Sequence, residues 1–256
     1  MSRKDLDGVA VAGPSTTLWR YMSLSKLLQM LQSRTIWFSR VDQLLADDPY
    51  EGSLPFNLLE SERSPKREAV TEKKHGMTAG SVAQMRKTFL ETFKNQRERT
   101  FVSCWHSGST DNDAMWRLYG AEKDGSVCVR STVSLLSREL PSFISVGRVE
   151  YVNYEDQWLG NSSIYVPFFR KRTCFEHERE VRFLFNTNVD DLELSRKPGK
   201  DNTGWAVNFS PEVCLTNIFI SPTAPSWFRE VVEGALRELE MDITVCEAPM
   251  AKRPIF

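Results

Sequence analysis

The stretch Glu176-His-Glu-Arg-Glu-Val-Arg182 concentrates the groups best suited to chemistry. Side chains alternate along a strand. If residues 178–185 are extended, Glu178, Glu180 and Arg182 share one face, and Val181, Phe183 and Phe185 share the other. Successive members of the polar row stand ~7 Å apart. Neighbouring carboxylates raise one another's pKa and a nearby guanidinium lowers it, so such a row can hold an acid or base in a tuned state. The same row also fits a solvated, charge-paired strand face. Arg20, between Trp19 and Tyr21, suits an anion site or an arginine stacked on an aromatic surface. Ser103 interrupts the apolar run Phe101-Val-Ser-Cys-Trp105; its hydroxyl can serve a ligand or bond to backbone. Cys104 and His106 fall on one strand face, the minimal form of a thiol–imidazole pair, although a cysteine there also fits as a small core residue. His75 lies in a charged stretch and reads as solvated; His177 reads as partly buried.

These groups need elements to position them. Leu18-Trp-Arg-Tyr21 reads as a short strand. Ser23 suits the cap of a helix carrying Leu24, Leu27, Leu28 and Leu31 on one face. Thr35 to Ser39 reads as a strand, and Asp47-Asp-Pro-Tyr-Glu-Gly52 as a turn. Residues 60–100 are strongly charged and read as a loose insert, then a helix with Val82, Met85, Phe89 and Phe93 along its buried edge. Further strands are expected at Phe101–Trp105, Gly125–Arg130 and Ile144–Asn153. Helices are expected after a cap at Asp111 or Asp113 and from Thr132 to Leu140, with irregular aromatic chain over 155–170. Near the end, a strand from Val213 to Ser221, a helix after Pro225 (Phe228, Val231, Val232, Ala235, Leu236, Leu239) and a strand from Asp242 to Cys246 form a β-α-β unit, parallel if both strands join one sheet. The expectation is an α+β fold: a mixed, largely antiparallel sheet core with flanking helices. Residues 1–16 read as a flexible tail and 17–256 as one domain.

Composition limits the function. Of the 256 residues, 41% are hydrophobic and 26% charged, enough for a sizeable core. A net charge of -1 argues against general nucleic-acid binding or attraction to anionic lipid. No apolar run reaches the ~20 residues of a membrane span, and the first residues lack the apolar segment of a secretory signal. Five scattered cysteines without a Cys-x-x-Cys pair predict reduced thiols in a cytoplasm, with no structural zinc and no disulfide. Neither Gly-x-Gly-x-x-Gly nor a Walker-type Gly-Lys-Ser/Thr occurs, which argues against a Rossmann NAD site and against ATPase activity.

Five stretches together resemble a bacterial family known as domain of unknown function 2971: Leu18-Trp-Arg-Tyr; Ile36-Trp-Phe-Ser with Asp48-Pro-Tyr-Glu; Phe101-Val-Ser-Cys-Trp; Met115-Trp-Arg-Leu-Tyr-Gly120 with Gly125-Ser-Val-Cys; and Phe175-Glu-His-Glu-Arg-Glu-Val-Arg182. The resemblance covers roughly residues 18–186. This chain has Asp-Asp-Pro-Tyr where that family has Asn-Asp-Pro and a large apolar residue, and Phe175 where tryptophan is usual. More remotely, the order of an arginine strand, an amphipathic helix, a serine strand and a glutamate strand is similar to that of mono-ADP-ribosyltransferases and of several bacterial abortive-infection proteins. That similarity implies an enzyme using or hydrolysing NAD, as a toxin or phage-defence effector. Arg20 would hold NAD, Ser103 would support the nicotinamide ribose, and Glu180 or Glu178 would drive transfer or cleavage. Tyr21 and Arg182 complete the implied binding set, with Trp105, Trp116 or Tyr119 stacking on nicotinamide. Ser103-Cys-Trp stands where those enzymes carry Ser-Thr-Ser. Two other readings remain open: a non-catalytic recognition or sensor module using the 60–100 insert to contact a protein partner, and a metal-dependent hydrolase or nuclease in which Asp47, Asp48 and Glu51 converge on Glu178.

Overall fold

Strand β1 (Thr17–Ser23) is apolar on both faces, as befits a strand covered on both sides. In this computed structural model, which describes residues 6–53, 65–78, 80–120, 125–154, 163–187 and 203–251, β1 lies inside a nine-stranded sheet. The other strands are β2 (Thr35–Arg40), β3 (Thr100–Ser107), β4 (Ser126–Thr132), β5 (Ser145–Arg148), β6 (Glu150–Val152), β7 (Arg170–Arg172), β8 (Glu180–Asn186), β9 (Gly204–Asn208), β10 (Asn217–Ile220) and β11 (Val245–Glu247). The main order is β11-β10-β4-β1-β3-β2-β9, with β8 also on β3 and β5 on β8. Within this sheet the pairs are antiparallel except β10 with β11; β6 and β7 form a small parallel ribbon. The α+β class and the parallel C-terminal β-α-β unit therefore hold.

One irregularity positions the site. Along one edge of β3, β1 pairs at His106 and Ser107 while β2 pairs at Val102 and Phe101. The ladder on that edge is interrupted over Ser103–Trp105. On the opposite edge β8 pairs continuously, from Thr100↔Asn186 to His106↔Glu180. The sheet is thus split between β1 and β2, and β8 seals the far side of the split.

Helices cover both faces. Helix α1 (Leu24–Ser33) is capped by Ser23, whose Oγ accepts from Lys26 N at 3.3 Å. It buries Leu27, Met30 and Leu31 against Leu18 and Met22 of β1 and Val127 and Val129 of β4. Helices α2 (Pro65–His75) and α3 (Ser81–Arg97) form the charged insert. Helix α4 (Asp113–Tyr119) lies on the other face, where Met115 and Trp116 pack with Trp19 and Tyr21. Helix α5 (Val133–Glu139), the short α6 (Pro211–Cys214) and α7 (Ser226–Glu238) complete the set, and α7 buries Phe228, Val232 and Leu236. Beside the α4 cluster, on the same face, Val102, Phe168, Phe169 and Leu184 form a separate apolar cluster.

Several elements differ from expectation. The insert holds two helices rather than one. Of its expected buried edge, Phe93 is half-buried, and the side chains of Val82, Met85 and Phe89 lie outside the described residues. Asn112, not Asp111 or Asp113, caps α4 by accepting from Met115 N at 3.2 Å. Proline at the start of α6 turns Pro211–Cys214 helical, so β10 begins only at Asn217. The expected strand 144–153 breaks at Val149 into β5 and β6, and β7 begins only at Arg170, the last residue of the stretch read as irregular. Val231 points outward from α7. Residues 6–16, expected to belong to a flexible tail, pack on the domain: Ala10 bridges Arg148 and Ala12 is buried.

Candidate functional site

Strand β8 has no wet face; every residue from Glu180 to Asn186 is buried. Arg182 sits directly across from Cys104, and Glu180 across from His106. These four lie between the α4 cluster and the Phe168–Phe169 cluster, a polar island flanked by two apolar ones. The solvated reading of this face is therefore corrected, because burial forces every charge on it to find an internal partner.

Arg182 is 0% exposed and its five N–H groups are all taken. Nε and Nη2 donate to Glu180 at 2.8 and 3.0 Å, Nη1 and Nη2 donate to Glu51, and Nη1 also donates to the Phe168 carbonyl at 2.6 Å. No donor remains for a diphosphate, so the expected ligand-binding role of Arg182 is corrected to that of an internal counter-ion. Glu178 is not on the strand. It ends a 3-10 turn (Thr173–Glu178), and Arg179, at φ 43°, adopts the left-handed conformation that lets the chain enter β8. Glu178 nevertheless reaches the same cluster. Lys171 of β7 pairs with Glu178 and, at 3.5 Å, with Glu180, while Tyr119 Oη donates to Glu178 Oε1 at 3.1 Å. The result is a chain Glu51–Arg182–Glu180–Lys171–Glu178–Tyr119.

Burial opposes ionisation of Glu180, but Arg182 and Lys171 outweigh it and hold its pKa at about 2. Glu51 shares the same guanidinium, yet its burial prevails and raises its pKa. Of the two carboxylates on Arg182, Glu180 is the more firmly ionised. Burial, reinforced by Glu180, pushes the Cys104 thiol well up, so Cys104 stays protonated and the thiol–imidazole nucleophile finds no support. Burial also lowers the pKa of His106, whose Nδ1 lies 2.6 Å from the Glu178 carbonyl. A carbonyl only accepts, so Nδ1 carries the proton and the neutral ring has its lone pair on Nε2.

A cavity of about 520 Å³ runs into the split, within the range of small-molecule sites. It draws walls from both faces of the sheet. Toward α1 these include Arg20, Lys26, Gln29 and Met30; toward α4 and β8 they include Asp47, Asp48, Glu51, Tyr119, Glu178 and Glu180. Its walls are therefore cationic on one side of the sheet, while on the other five carboxyl groups outnumber the two cations Lys171 and Arg182. Arg20 spans the split, donating to Ser103 Oγ at 3.0 Å and to the Trp37 carbonyl at 3.2 Å. Both partners are neutral, and Arg20 has no carboxylate partner among the described residues.

Of the residues singled out from sequence, Arg20, Tyr21, Trp105, Tyr119, Glu178, Glu180 and Arg182 all contribute to this wall. Ser103 is buried behind it and acts through Arg20. Trp116 does not reach it: it packs edge-on to Tyr21 and donates from Nε1 to Asp111 at 3.1 Å, so its expected stacking role is withdrawn. Trp105 lies under the Arg20 guanidinium, 5.6 Å from its carbon, and at 1% exposure offers no free ring face. Tyr119, 49% exposed, keeps one. Sequence reasoning missed Lys171, and it named Glu51 only as a possible metal ligand. Asp47, Asp48, Glu51 and Glu178 do converge on the cavity, but Arg172, Arg182 and Lys171 already hold the last three. No group of three potential ligands stands close enough to hold a metal ion among the described residues. No helix among them is long and apolar enough to cross a membrane. Comparisons with protein-family models, with curated proteins and with solved structures return no match.

Proposed function

We propose that this cavity binds NAD and that the protein cleaves the nicotinamide–ribose bond, passing ADP-ribose to a macromolecule or to water. The observation that carries the reading is Arg20, a guanidinium with neutral partners only, opening onto the same cavity as Glu178 and Glu180. A guanidinium without a carboxylate partner suits a diphosphate. The acidic wall suits the positive nicotinamide ring and the oxocarbenium-like sugar that forms as it departs. In that step the C–N bond breaks and its electron pair stays on the ring nitrogen. Neutral nicotinamide leaves, and an incoming hydroxyl or other nucleophile bonds to the sugar carbon and gives up its proton.

The roles of the two glutamates separate. Glu180 grips Arg182 with both oxygens, so it anchors the network. Glu178 holds one cation and one phenol, which leaves it the carboxylate with acceptor capacity for a ribose hydroxyl. Of the set that the similarity to mono-ADP-ribosyltransferases implies, this reading keeps Arg20 and a glutamate, with Glu178 rather than Glu180 nearer the ligand, while Ser103 serves only through Arg20. A toxin or phage-defence role is the biological setting of that similarity.

The deciding measurement is nicotinamide release from NAD by the purified protein, alone and with cell extract. Wild type should release nicotinamide, while Glu178→Gln and Arg20→Ala should lose at least about a hundredfold with the fold intact, on the order of 3 kcal/mol of barrier. No release and no NAD binding by calorimetry would remove the reading. Binding without release would favour a recognition module. Val70 of α2 and Leu90 of α3, both exposed, supply a contact surface for a protein partner in that case.

A further inference from the structure

Two residues of the cavity wall carry buried polar atoms without a partner among the described residues: Nε1 of Trp105 and Oδ2 of Asp48. Both residues are 1% exposed, so bulk water does not satisfy them. Buried polar groups are normally hydrogen-bonded, so an orphan in a cavity wall calls for an explanation, and a bond completed by a bound ligand is one. The two atoms differ in kind. Trp105 Nε1–H only donates, and its ring lies beneath Arg20, so it adds a second donor at the cationic end. Asp48 is held by its other oxygen: Oδ1 accepts from Arg172 Nε at 3.0 Å and from Tyr50 N at 3.1 Å, and Arg172 Nη2 stands 2.9 Å away as the ion-pair partner. These contacts fix the carboxylate and leave Oδ2 without a partner among the described residues, able to accept at the acidic end.

We infer that the cavity's ligand is a sugar phosphate: Trp105 Nε1–H donates to a phosphate oxygen beside Arg20, and Asp48 Oδ2 accepts a sugar hydroxyl. This rests on the nucleotide reading of the same cavity and deepens it, because it specifies two polar groups that contact the ligand, of which Asp48 is the one that tells a nucleotide from a simple anion. A carboxylate accepting a hydroxyl rejects ligands without one, since Oδ2 then stays buried and unpaired.

Calorimetry with two probes separates the halves. Inorganic pyrophosphate offers anionic oxygens alone, and ADP-ribose adds sugar hydroxyls without nicotinamide. Trp105→Phe should weaken both roughly tenfold or more, the scale of a hydrogen bond to a charged group. Asp48→Asn keeps the shape and should weaken ADP-ribose by a similar factor while leaving pyrophosphate as tight or tighter. Equal ADP-ribose affinity in all three proteins, with NAD cleavage intact, overturns this inference and spares the NAD reading. If wild type binds pyrophosphate but not ADP-ribose, the Asp48 assignment and the NAD reading fall, and tenfold weaker pyrophosphate binding by Trp105→Phe upholds the Trp105 assignment. If neither probe binds wild type, both fail. Thermal unfolding checks that each variant is folded. Should Trp105→Phe not fold, wild-type indole N–H resonances during pyrophosphate titration serve instead: a downfield shift of the Trp105 signal supports the donor role, and no shift overturns it.

Discussion

Glu51 and Arg182 lie 131 residues apart in the chain and meet as a bidentate pair from which solvent is excluded, Nη2 donating to Oε2 at 3.0 Å. The pair ties the Asp47–Ser53 loop to the strand that closes the split sheet. Arg182→Met removes the cation and leaves Glu51 and Glu180 facing each other without it. Breaking a buried ion pair from one side costs about 3–5 kcal/mol. Urea unfolding should show that loss as a lower midpoint; a change under about 1 kcal/mol would mean that the pair contributes no more than a surface one.

Glu180 sets an acid limit. Its pKa in the folded protein, about 2, lies below its ordinary value of 4.5. The unfolded chain therefore binds the extra proton first. Stability from this group is fully present above pH 4.5 and is lost as pH falls toward 2, roughly 3 kcal/mol in all. Glu51 works in the opposite sense, since its pKa is raised and its charge costs stability as pH rises. Urea midpoints measured from pH 7 down to 3 should fall for wild type below pH 4.5 and fall less steeply for Glu180→Gln. Parallel curves would show that Glu180 is not ionised by its neighbours.

Sheet class, the Ser23 cap and the C-terminal β-α-β unit were legible because each rests on local signals: period-two strands, a capping hydroxyl and an amphipathic helix. The alternation that puts Glu180 and Arg182 on one face was legible too. Its burial was not, because the cover comes from residues far away in sequence, namely Glu51, Phe168 and Lys171. Glu178 was placed one step too far along the strand because the left-handed turn at Arg179 occurs at an arginine, and no glycine marks it. The split between β1 and β2 has no local signature, since it depends on where two strands stop pairing with a third. Arg20 was legible as an anion candidate, whereas the orphaned atoms of Trp105 and Asp48 depend entirely on tertiary packing.

Gly52 holds the Glu51 loop through its backbone. Its φ is +62°, and a Cβ there would stand 2.8 Å from the ring of Phe168, whose carbonyl accepts from Arg182. Gly52→Ala should cost at least about 1–2 kcal/mol from the left-handed conformation alone, with more from displacing Phe168. The expected result is a lower unfolding midpoint together with weaker ligand binding. An unchanged midpoint would show that the loop relaxes freely.

The five cysteines are all free thiols. Cys174 is exposed, Cys128 and Cys214 are buried, and burial raises the pKa of Cys104, Cys128 and Cys214. A thiol reagent at pH 8 should modify Cys174 fast, Cys104, half-buried in the cavity wall with its pKa raised, slowly, and Cys128 and Cys214 only on unfolding. Fast reaction of Cys104, read by mass spectrometry of peptides, would contradict its protonated state.

His106 gives the pH dependence of the site itself. Its Nδ1–H is committed to the Glu178 carbonyl, and burial lowers its pKa from the ordinary 6.5, partly opposed by that bond. The folded ring therefore protonates later than the unfolded one as pH falls. Its stabilising contribution is complete above pH 6.5 and declines below it. The same ring, neutral at pH 7 with a lone pair on Nε2, belongs to the cavity wall, and under the proposed cleavage it is a candidate to accept the proton of an incoming nucleophile. Nicotinamide release should then be flat above pH 6.5 and fall at lower pH as Nε2 becomes protonated. His106→Asn keeps a donor near the Nδ1 position and removes Nε2, so its residual activity should lose that pH limb while its fold survives. Nitrogen NMR of wild type at pH 7 should show the Nδ1–H tautomer. The Nε2–H tautomer, or a His106→Asn profile with the wild-type limb intact, would remove His106 from the proton transfer.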